Sequence, residues 1–250
     1  HALCIIRSLT SLGHIVDCIG HPLCLSSFSF YLNKCAYKQS KFKAKYISEF
    51  LSFLEKEKYD FLIPIGADSV SLVNKYRNEI HKRVRINLAP EESIRSCLSK
   101  DKLLEIAREI GIPTPKRYEK FELKKYFNNN SNLQNKLVIK PSSELSNEKV
   151  IYTRNIKEIS YYLKSEEKFL FQDYIRGYGV GFFAIYDNGN LKNFFMHKRI
   201  RENPPSGGSS VCAQSIFDPN LYRYGKKILD ELKWHGVAMV EFKKTYAKDE

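Results

Sequence analysis

One segment, GVGFFAIYDNGNLKNFFMHKRI at residues 179–200, restricts the fold of this chain more than any other. Two apolar strand patterns flank a DNGN tetrapeptide at 187–190. Asn-Gly between such runs is the strongest short-range signal for a β-hairpin, because both central residues of a type I′ turn need positive φ. The segment therefore predicts two long antiparallel strands and, with them, a sheet in the C-terminal half.

Shorter strands and two helices are predicted around the hairpin. Four apolar residues between 103 and 110 share one helix face, and Gly111 followed by two prolines ends that helix. A second helix is predicted in NLYRYGKKILDELKW. The other strands are predicted in KLVIKP (136–141), KVIYT (149–153), FLFQDYI (169–175) and GVAMVEFKK (236–244). This half therefore has the pattern of an α+β domain.

The N-terminal third follows another pattern, in which helices and buried strands alternate. The helices are predicted to end at Gly13, to span 43–60 and to begin again near Asp68, with strands in HIVDCIG and FLIPIG between them. This alternation is typical of α/β domains with a parallel sheet. We expect a Rossmann-like domain over residues 1–92, lacking its first strand, and a second domain over 93–250.

Composition narrows the class of protein. Hydrophobic residues make up 43% of 250 residues, which is enough for a core and excludes a disordered chain. The formal charge of +13 favours an anionic partner: a nucleotide, a nucleic acid, an acidic metabolite or a membrane surface. The six cysteines show neither zinc-site nor disulfide-framework spacing, so we expect reduced thiols and a cytoplasmic protein. No apolar run approaches the roughly 20 residues of a membrane span.

Three segments carry candidate chemistry. Lys140 ends a buried strand and must reach a carboxylate, water or a bound anion, with a serine-rich loop behind it. FQDYIRG is consistent with a strand that ends in a hinge, where backbone groups can bind a purine edge, or with a plain glycine-rich turn. The third, residues 197–216, places cations before PPSGGSS and fits either a solvated loop or an anion-binding loop.

The order of these segments resembles that of the ATP-grasp superfamily. A lysine in SKDKLLEIAREIGIPTPK is followed by VIKP, FQDYIRG, the basic loop and GVAMVEFK. The loop NPPSGGSSVCAQS is most similar to the carbamoyl-phosphate synthase large chain and the related carboxylate–amine ligases. The resemblance implies a Rossmann-like pre-ATP-grasp domain followed by an ATP-grasp domain of two α+β subdomains, about 97–175 and 176–250.

The resemblance also implies ligands and roles. The ligands are ATP, Mg²⁺, a small carboxylate or bicarbonate, and an amine; it does not favour nucleic acid or a membrane, and it is compatible with a homo-oligomer. The nucleotide-binding positions are Lys102, Lys140, Ser142, Ser143, Gln172, Asp173, Tyr174 and Ile175. Within them the lysines would hold phosphates, segment 142–149 would form a flap, and Gln172 to Ile175 would read adenine. Arg199, Arg201, Ser209 and Ser210 would bind the acyl-phosphate-forming substrate, and Glu241 would bind magnesium.

Three features depart from the family pattern. The expected flap contains no glycine, and Gly179 stands where many members carry a glutamate for the ribose. A Glu-x-Asn metal motif would follow Glu241 on the next strand, yet the sequence given stops at Glu250. We therefore expect a fragment of a longer enzyme, truncated at both ends.

Two other hypotheses remain open at this stage. One is a degenerate, noncatalytic ATP-grasp domain that serves as a structural or regulatory subunit. The other is a basic nucleic-acid-binding domain, although the aromatic residues follow apolar strand patterns and no known nucleic-acid motif is present.

Overall fold

The structure is a computed structural model that describes residues 2–20, 24–36, 46–129, 135–205 and 208–246. The chain divides into two units, His1–Asn87 and Leu88–Glu250. The sequence placed the boundary at residue 92. Among the described residues, none of the helices has the length and apolar character that crossing a bilayer requires.

The first unit contains helices and short parallel strands. Its elements are α1 (Ala2–Ser11), β1 (Asp17–Ile19), a 3-10 helix (Leu25–Phe28), β2 (Lys34–Ala36), α2 (Tyr46–Glu57), β3 (Phe61–Leu62), α3 (Ala67–Lys75), α4 (Arg77–His81) and β4 (Arg85–Ile86). β1 pairs with β2 and β3 pairs with β4, both in parallel. The parallel pairing is thus confirmed, but the described strands form two separate pairs. β2 and β4 were not predicted, because so few residues carry no measurable period.

In the part of the chain that the structure describes, the second unit contains two four-stranded sheets with helices. Its elements are α5 (Glu91–Leu98), α6 (Lys100–Glu109), β5 (Arg117–Tyr118), α7 (Lys120–Asn129), β6 (Leu137–Pro141), β7 (Ile151–Thr153), α8 (Ile156–Lys164), β8 (Phe169–Asp173), β9 (Gly177–Asp187), β10 (Asn190–Asn203), β11 (Ser209–Ser215), α9 (Pro219–Glu231) and β12 (Gly236–Thr245). We name the sheet β5-β8-β6-β7 the lysine sheet and the sheet β11-β10-β9-β12 the arginine sheet. All strand pairs in both sheets are antiparallel.

The predicted hairpin forms the centre of the arginine sheet. Asp187 pairs with Asn190 across the turn, and the two residues between them, Asn188 and Gly189, have φ of 47° and 80°. These are the positive values that a type I′ turn requires. The Asn-Gly turn therefore sets the pairing next to it, and a bulge between Leu191 and Asn193 then shifts the register of the two strands.

Each sheet buries one face against helices. In the lysine sheet, Ile139 and Phe171 pack with Leu123 of α7 and Ile159 of α8. In the arginine sheet, apolar residues of β9 and β10 pack with those of α6 and α9; the most buried are Phe182, Met196, Leu221, Ile228 and Leu229. Side chains alternate along a strand, so the residues between these core positions lie on the opposite face of each sheet. The candidate site is built on those opposite faces.

Candidate functional site

Lys140 lies near the end of β6, on the face of the lysine sheet turned away from the Ile139 core. It is partly buried, and no hydrogen bond or ion pair joins its ammonium to another described residue. Burial lowers the pKa of Lys140, the charge of Lys100 lowers that pKa further, and Glu144 acts in the opposite direction. A bound anion would relieve both costs. Lys140 is therefore a candidate anion-binding residue.

Lys100, the first residue of α6, supplies a second cation beside Lys140. Its ammonium lies 3.2 Å from the Glu144 carboxylate and donates a 3.3 Å hydrogen bond to the Ser143 carbonyl. The family resemblance implied Lys102 in this role. Lys102 is exposed. Residues two apart on a helix project from different sides, so the Lys102 side chain does not point in the same direction as that of Lys100. The structure thus brings Lys100, and not Lys102, to Lys140.

Carboxylates near the two lysines already have cationic partners. Glu144 pairs with Lys100, and Asp101 lies 2.6 Å from the Arg117 guanidinium of β5. Asp101 also accepts a hydrogen bond from the Ser142 hydroxyl. Lys140 is therefore left without a carboxylate of its own among the described residues, and its charge is available to a ligand.

The segment expected to form a flap, residues 142–149, is fixed at its beginning. The Ser142 carbonyl accepts a 2.8 Å hydrogen bond from the first N–H of α6, and the Glu144 N–H donates to Leu98 at 3.0 Å. The Ser143 hydroxyl accepts from the Leu145 N–H at 3.1 Å. Both serine hydroxyls are thus engaged within the protein. The rest of the segment is mostly exposed.

The residues expected to read adenine lie at the end of β8, where the chain leaves the lysine sheet for the arginine sheet. Gln172 is buried, and its register with Val138 puts it on the same face as Lys140. The Asp173 carboxylate accepts a 2.7 Å hydrogen bond from the Tyr118 hydroxyl. Asp173 therefore has a structural partner, whereas Gln172 faces the same side as the lysine.

Tyr174 and Ile175 belong to the three-residue link between β8 and β9. The Tyr174 N–H donates to the Lys136 carbonyl at 3.3 Å, and its ring meets the Tyr152 ring edge-on with the centroids 6.0 Å apart. Sheet pairing thus already uses the Tyr174 N–H. The charge of Glu202, on β10, contributes to raising the pKa of Tyr152, after burial. The Glu202 carboxylate and the Tyr152 hydroxyl therefore interact electrostatically.

Arg199 is the central cation of the arginine sheet. Its guanidinium forms ion pairs with Glu202, at 3.3 Å, and with Glu241 of β12, and donates a 3.1 Å hydrogen bond to the Gly208 carbonyl. Its side chain crosses β9 at Gly179, where an added Cβ would come within 2.8 Å of the Arg199 Cδ. Gly179 departs from the family pattern. Because it has no side chain, it leaves room for the Arg199 side chain.

Two buried nitrogens on this face have no hydrogen-bond partner among the described residues: Arg199 Nε and His197 Nε2. Both residues belong to β10 and, being two apart, share one face. Burial lowers the pKa of His197, and the Arg199 charge lowers it further, so the imidazole is neutral near pH 7. An imidazole N–H and a guanidinium N–H without partners are suited to an anionic ligand.

The other residues expected to bind substrate lie in a hairpin. The cations belong to β10 and the serines to β11, so the expected loop is confined to the few residues between Asn203 and Ser209. Arg201 is exposed beside a bulge in β10, and the Ser210 hydroxyl donates to the Cys212 carbonyl at 3.3 Å. The structure brings Arg199 and Glu241 together, and it does not bring Arg201 to them.

Sequence reasoning missed Lys100, His197 and Glu202 as candidate site residues. Alternation along the strand could have identified His197, since it shares a face with Arg199 two positions on. Glu202 shares that face only because the register with β11 shifts between Arg199 and Glu202. A bulge of this kind leaves no reliable trace in one sequence.

The described residues contain no group of three or more His, Cys, Asp or Glu side chains close enough to hold a metal. They do supply Glu241 and Glu202, on either side of Arg199. Magnesium in phosphoryl-transfer enzymes usually takes only one or two carboxylates, together with phosphates and waters. These two carboxylates fit that requirement.

The sequence matches no protein-family model and no curated protein. Solved structures do match. The biotin carboxylase domain of the 2-oxoglutarate carboxylase of Hydrogenobacter thermophilus, in complex with MgADP, ADP and bicarbonate, is 14% identical with a TM-score of 0.67, over 96% of this chain and 58% of that chain. An L-amino acid ligase from Bacillus licheniformis is 14% identical with a TM-score of 0.68, over 99% of this chain and 61% of that one.

A D-alanine–D-alanine ligase from Bacillus anthracis complexed with ATP matches with a TM-score of 0.56 and 16% identity, over 85% of this chain and 71% of that chain. This chain has the ATP-grasp fold of these three structures. It spans about three fifths of the length of the first two proteins.

Proposed function

We propose that this chain is the nucleotide-binding part of an ATP-dependent carboxylate–amine ligase. The observation that carries the proposal is Lys140: a partly buried ammonium beside a second lysine, with no partner of its own, on a fold whose solved examples hold ADP or ATP. A triphosphate supplies the anion that this arrangement lacks.

The nucleotide would lie on the face of the lysine sheet that carries Lys140 and Gln172. Gln172 and the backbone of Ile175 would contact the adenine edge, since they stand at the start of the link between the sheets. Lys140 and Lys100 would contact the phosphates. In this arrangement Glu144 positions Lys100, because its carboxylate and the Ser143 carbonyl hold the ammonium in place.

The substrate that becomes the acyl phosphate would bind on the face of the arginine sheet that carries His197 and Arg199. The unpartnered Arg199 Nε–H and a His197 Nε2–H would donate to the oxygens of the acyl phosphate. Such preorganised donors stabilise charge that develops during phosphoryl transfer. Arg201, Ser209 and Ser210 lie further along the same hairpin and would contact the substrate carboxylate.

Magnesium would bind at Glu241, with Glu202 as the second carboxylate. Bound magnesium neutralises phosphate charge during transfer. Both carboxylates pair with Arg199 in the structure. If Glu241 held magnesium, the Arg199 guanidinium would be free to donate to the phosphoryl group.

The reaction needs no nucleophile from the protein. A carboxylate oxygen of the substrate attacks the γ-phosphorus of ATP, and the bond to the bridging oxygen breaks to release ADP. The amine then attacks the acyl carbon, and phosphate leaves. The protein contributes positioning and charge, which are the main sources of catalysis in phosphoryl transfer.

Thermal stabilisation by nucleotide tests this proposal. A nonhydrolysable ATP analogue with Mg²⁺ should raise the melting temperature of the chain, because a ligand that binds only the native state stabilises it. Lys140→Ala should abolish most of that shift. Lys102→Ala is the matched control, since it removes an equal charge from an exposed position and should leave the shift intact. A folded chain that shows no shift, or an equal loss in both variants, would contradict the proposal.

A further inference from the structure

Three cysteines of the first unit lie close together. Cys18 of β1 and Cys35 of β2 occupy the same register position in neighbouring parallel strands. Cys24 directly precedes the 3-10 helix Leu25–Phe28. All three are free thiols and partly buried. None of them belongs to the candidate nucleotide site.

Cys18 and Cys24 converge on one hydroxyl. The Ser26 Oγ lies 3.1 Å from the Cys24 Sγ and 3.8 Å from the Cys18 Sγ, and Ser26 is buried. The two sulfurs also lie over the backbone of Gly20, where an added Cβ would stand 3.7 Å from Cys24 Sγ and 4.0 Å from Cys18 Sγ. The two thiols therefore share one small space.

The two thiols differ in acidity. The hydrogen bond with Ser26 lowers the pKa of Cys24, whereas burial raises the pKa of Cys18 and of Cys35. Since the thiolate is the nucleophile in thiol–disulfide exchange, Cys24 should react first. Cys18, next to it, is placed to react second.

A metal ion does not explain the cluster. Three thiolates around one ion would form a soft-metal site, but among the described residues these sulfurs do not meet the spacing of a three-ligand metal group. The arrangement instead supports a reaction between two of the sulfurs.

We propose that Cys24 and Cys18 form a modification site for low-molecular-weight disulfides such as glutathione disulfide. The Cys24 thiolate attacks one sulfur of the small disulfide, whose S–S bond breaks to release one thiolate and leave a mixed disulfide on Cys24. The Cys18 thiolate then attacks the Cys24 sulfur, displaces the second small thiolate and closes a Cys18–Cys24 disulfide. Two protein thiols are oxidised, the small disulfide is reduced to two thiols, and these take up the two protons.

Peptide mapping of the wild-type chain tests the proposal without any variant. After treatment of the native, reduced protein with glutathione disulfide, mass spectrometry should find Cys18 and Cys24 joined, with the loss of two hydrogen atoms and no glutathione on either. The exposed Cys4 is the internal control, because it should keep a glutathione adduct. A persistent adduct on Cys24, or a Cys18–Cys35 or Cys24–Cys35 bond as the main product, would overturn the assignment.

Variants separate the two steps. Cys18→Ser should stop the reaction at a stable glutathione adduct on Cys24, because no second thiol resolves it. Cys35→Ser, the matched control within the cluster, should still form the Cys18–Cys24 bond. If Cys18→Ser also forms an internal disulfide, then Cys35 is the resolving residue and the proposal is wrong.

The role of Ser26 has a readout of its own. In the wild-type chain at neutral pH, Cys24 should be alkylated by iodoacetamide roughly threefold or more faster than Cys35, since the higher thiolate fraction outweighs the lower nucleophilicity. Ser26→Ala should move the midpoint of the Cys24 pH–rate profile upward. An unchanged profile would contradict the positioning role.

Discussion

The two sheets of the second unit hold their cations in opposite ways. Lys140 of the lysine sheet is partly buried, lies beside another lysine and has no partner among the described residues. Arg199 of the arginine sheet is held by two carboxylates and a carbonyl. One cation is left uncompensated by the fold, and the other is compensated in advance.

This difference indicates which end of the site depends on the ligand. An uncompensated lysine opposes folding and gains most when an anion binds, whereas a paired arginine stabilises the fold and must exchange partners to act. The lysine sheet is therefore expected to determine affinity for the nucleotide. The arginine sheet is expected to determine the geometry at the reacting end.

The largest effect should come from Arg199→Ala. Loss of the guanidinium leaves Glu202, whose side chain is only 15% exposed, without its cation, and removal of one member of a buried pair is costly. We expect the free energy of unfolding to fall by about 2–3 kcal/mol in urea titrations. Arg201→Ala removes an exposed arginine of the same strand and should change it by less than about 0.5 kcal/mol. Equal losses would show that Arg199 is not specially held.

Lys100→Ala and Lys102→Ala compare two lysines of one helix turn. Lys100 faces Lys140 and Lys102 does not, so only Lys100→Ala should weaken binding of an ATP analogue. A charge-assisted contact to phosphate contributes on the order of 1.5–3 kcal/mol, which corresponds to roughly a tenfold or larger rise in Kd by calorimetry. A larger effect from Lys102→Ala would favour Lys102 as the phosphate-binding lysine, as the family resemblance implied.

Lys140→Met should separate stability from binding. Without nucleotide, the variant loses a partly buried charge and its repulsion from Lys100, so its free energy of unfolding should rise by about 1 kcal/mol. The same change should weaken nucleotide binding. Urea titrations without and with the ATP analogue measure the change in the free energy of unfolding and the change in nucleotide binding. A variant that is destabilised without nucleotide would mean that Lys140 already has a favourable partner.

The smallest effect concerns His197 and pH. Its pKa is lowered in the folded state from an ordinary value of 6.5, so the unfolded chain takes up a proton more readily. As the pH falls through 6.5, stability should therefore fall, by less than about 1 kcal/mol. His197→Gln should flatten this dependence between pH 7.5 and 5.5 in melting curves, and His14→Gln, at an exposed position, controls for the loss of one imidazole. An unchanged slope in His197→Gln would show that the ring is not held neutral.

Long elements could be predicted from the sequence, and fine placement could not. The Asn-Gly turn specified the hairpin because its backbone requirement is local. Lys140 could be singled out from the sequence because an ammonium at the end of an apolar strand needs a polar or anionic partner. Its role in binding stays a proposal. The choice of Lys100 over Lys102 depends on where α6 begins: Ser99 is its N-cap, with φ of −113°, and fixes the side from which each lysine projects.

The arginine sheet shows the same limit from another cause. The pairing of Arg199 with Glu241 joins strands that are far apart in sequence, and the approach of Glu202 depends on a bulge. Neither is encoded by spacing. The reason for a glycine at position 179 can be recognised only once the path of the Arg199 side chain is known.

The most direct test of the account is labelling with an ATP acyl phosphate, a probe that transfers its acyl group to lysines next to the nucleotide phosphates. Peptide mapping should find the label on Lys140 and Lys100, should find none on Lys102, and should show that excess ATP with Mg²⁺ prevents the labelling. The lowered pKa of Lys140 favours its reaction. Labelling spread over exposed lysines and unaffected by ATP would contradict a nucleotide site at Lys140.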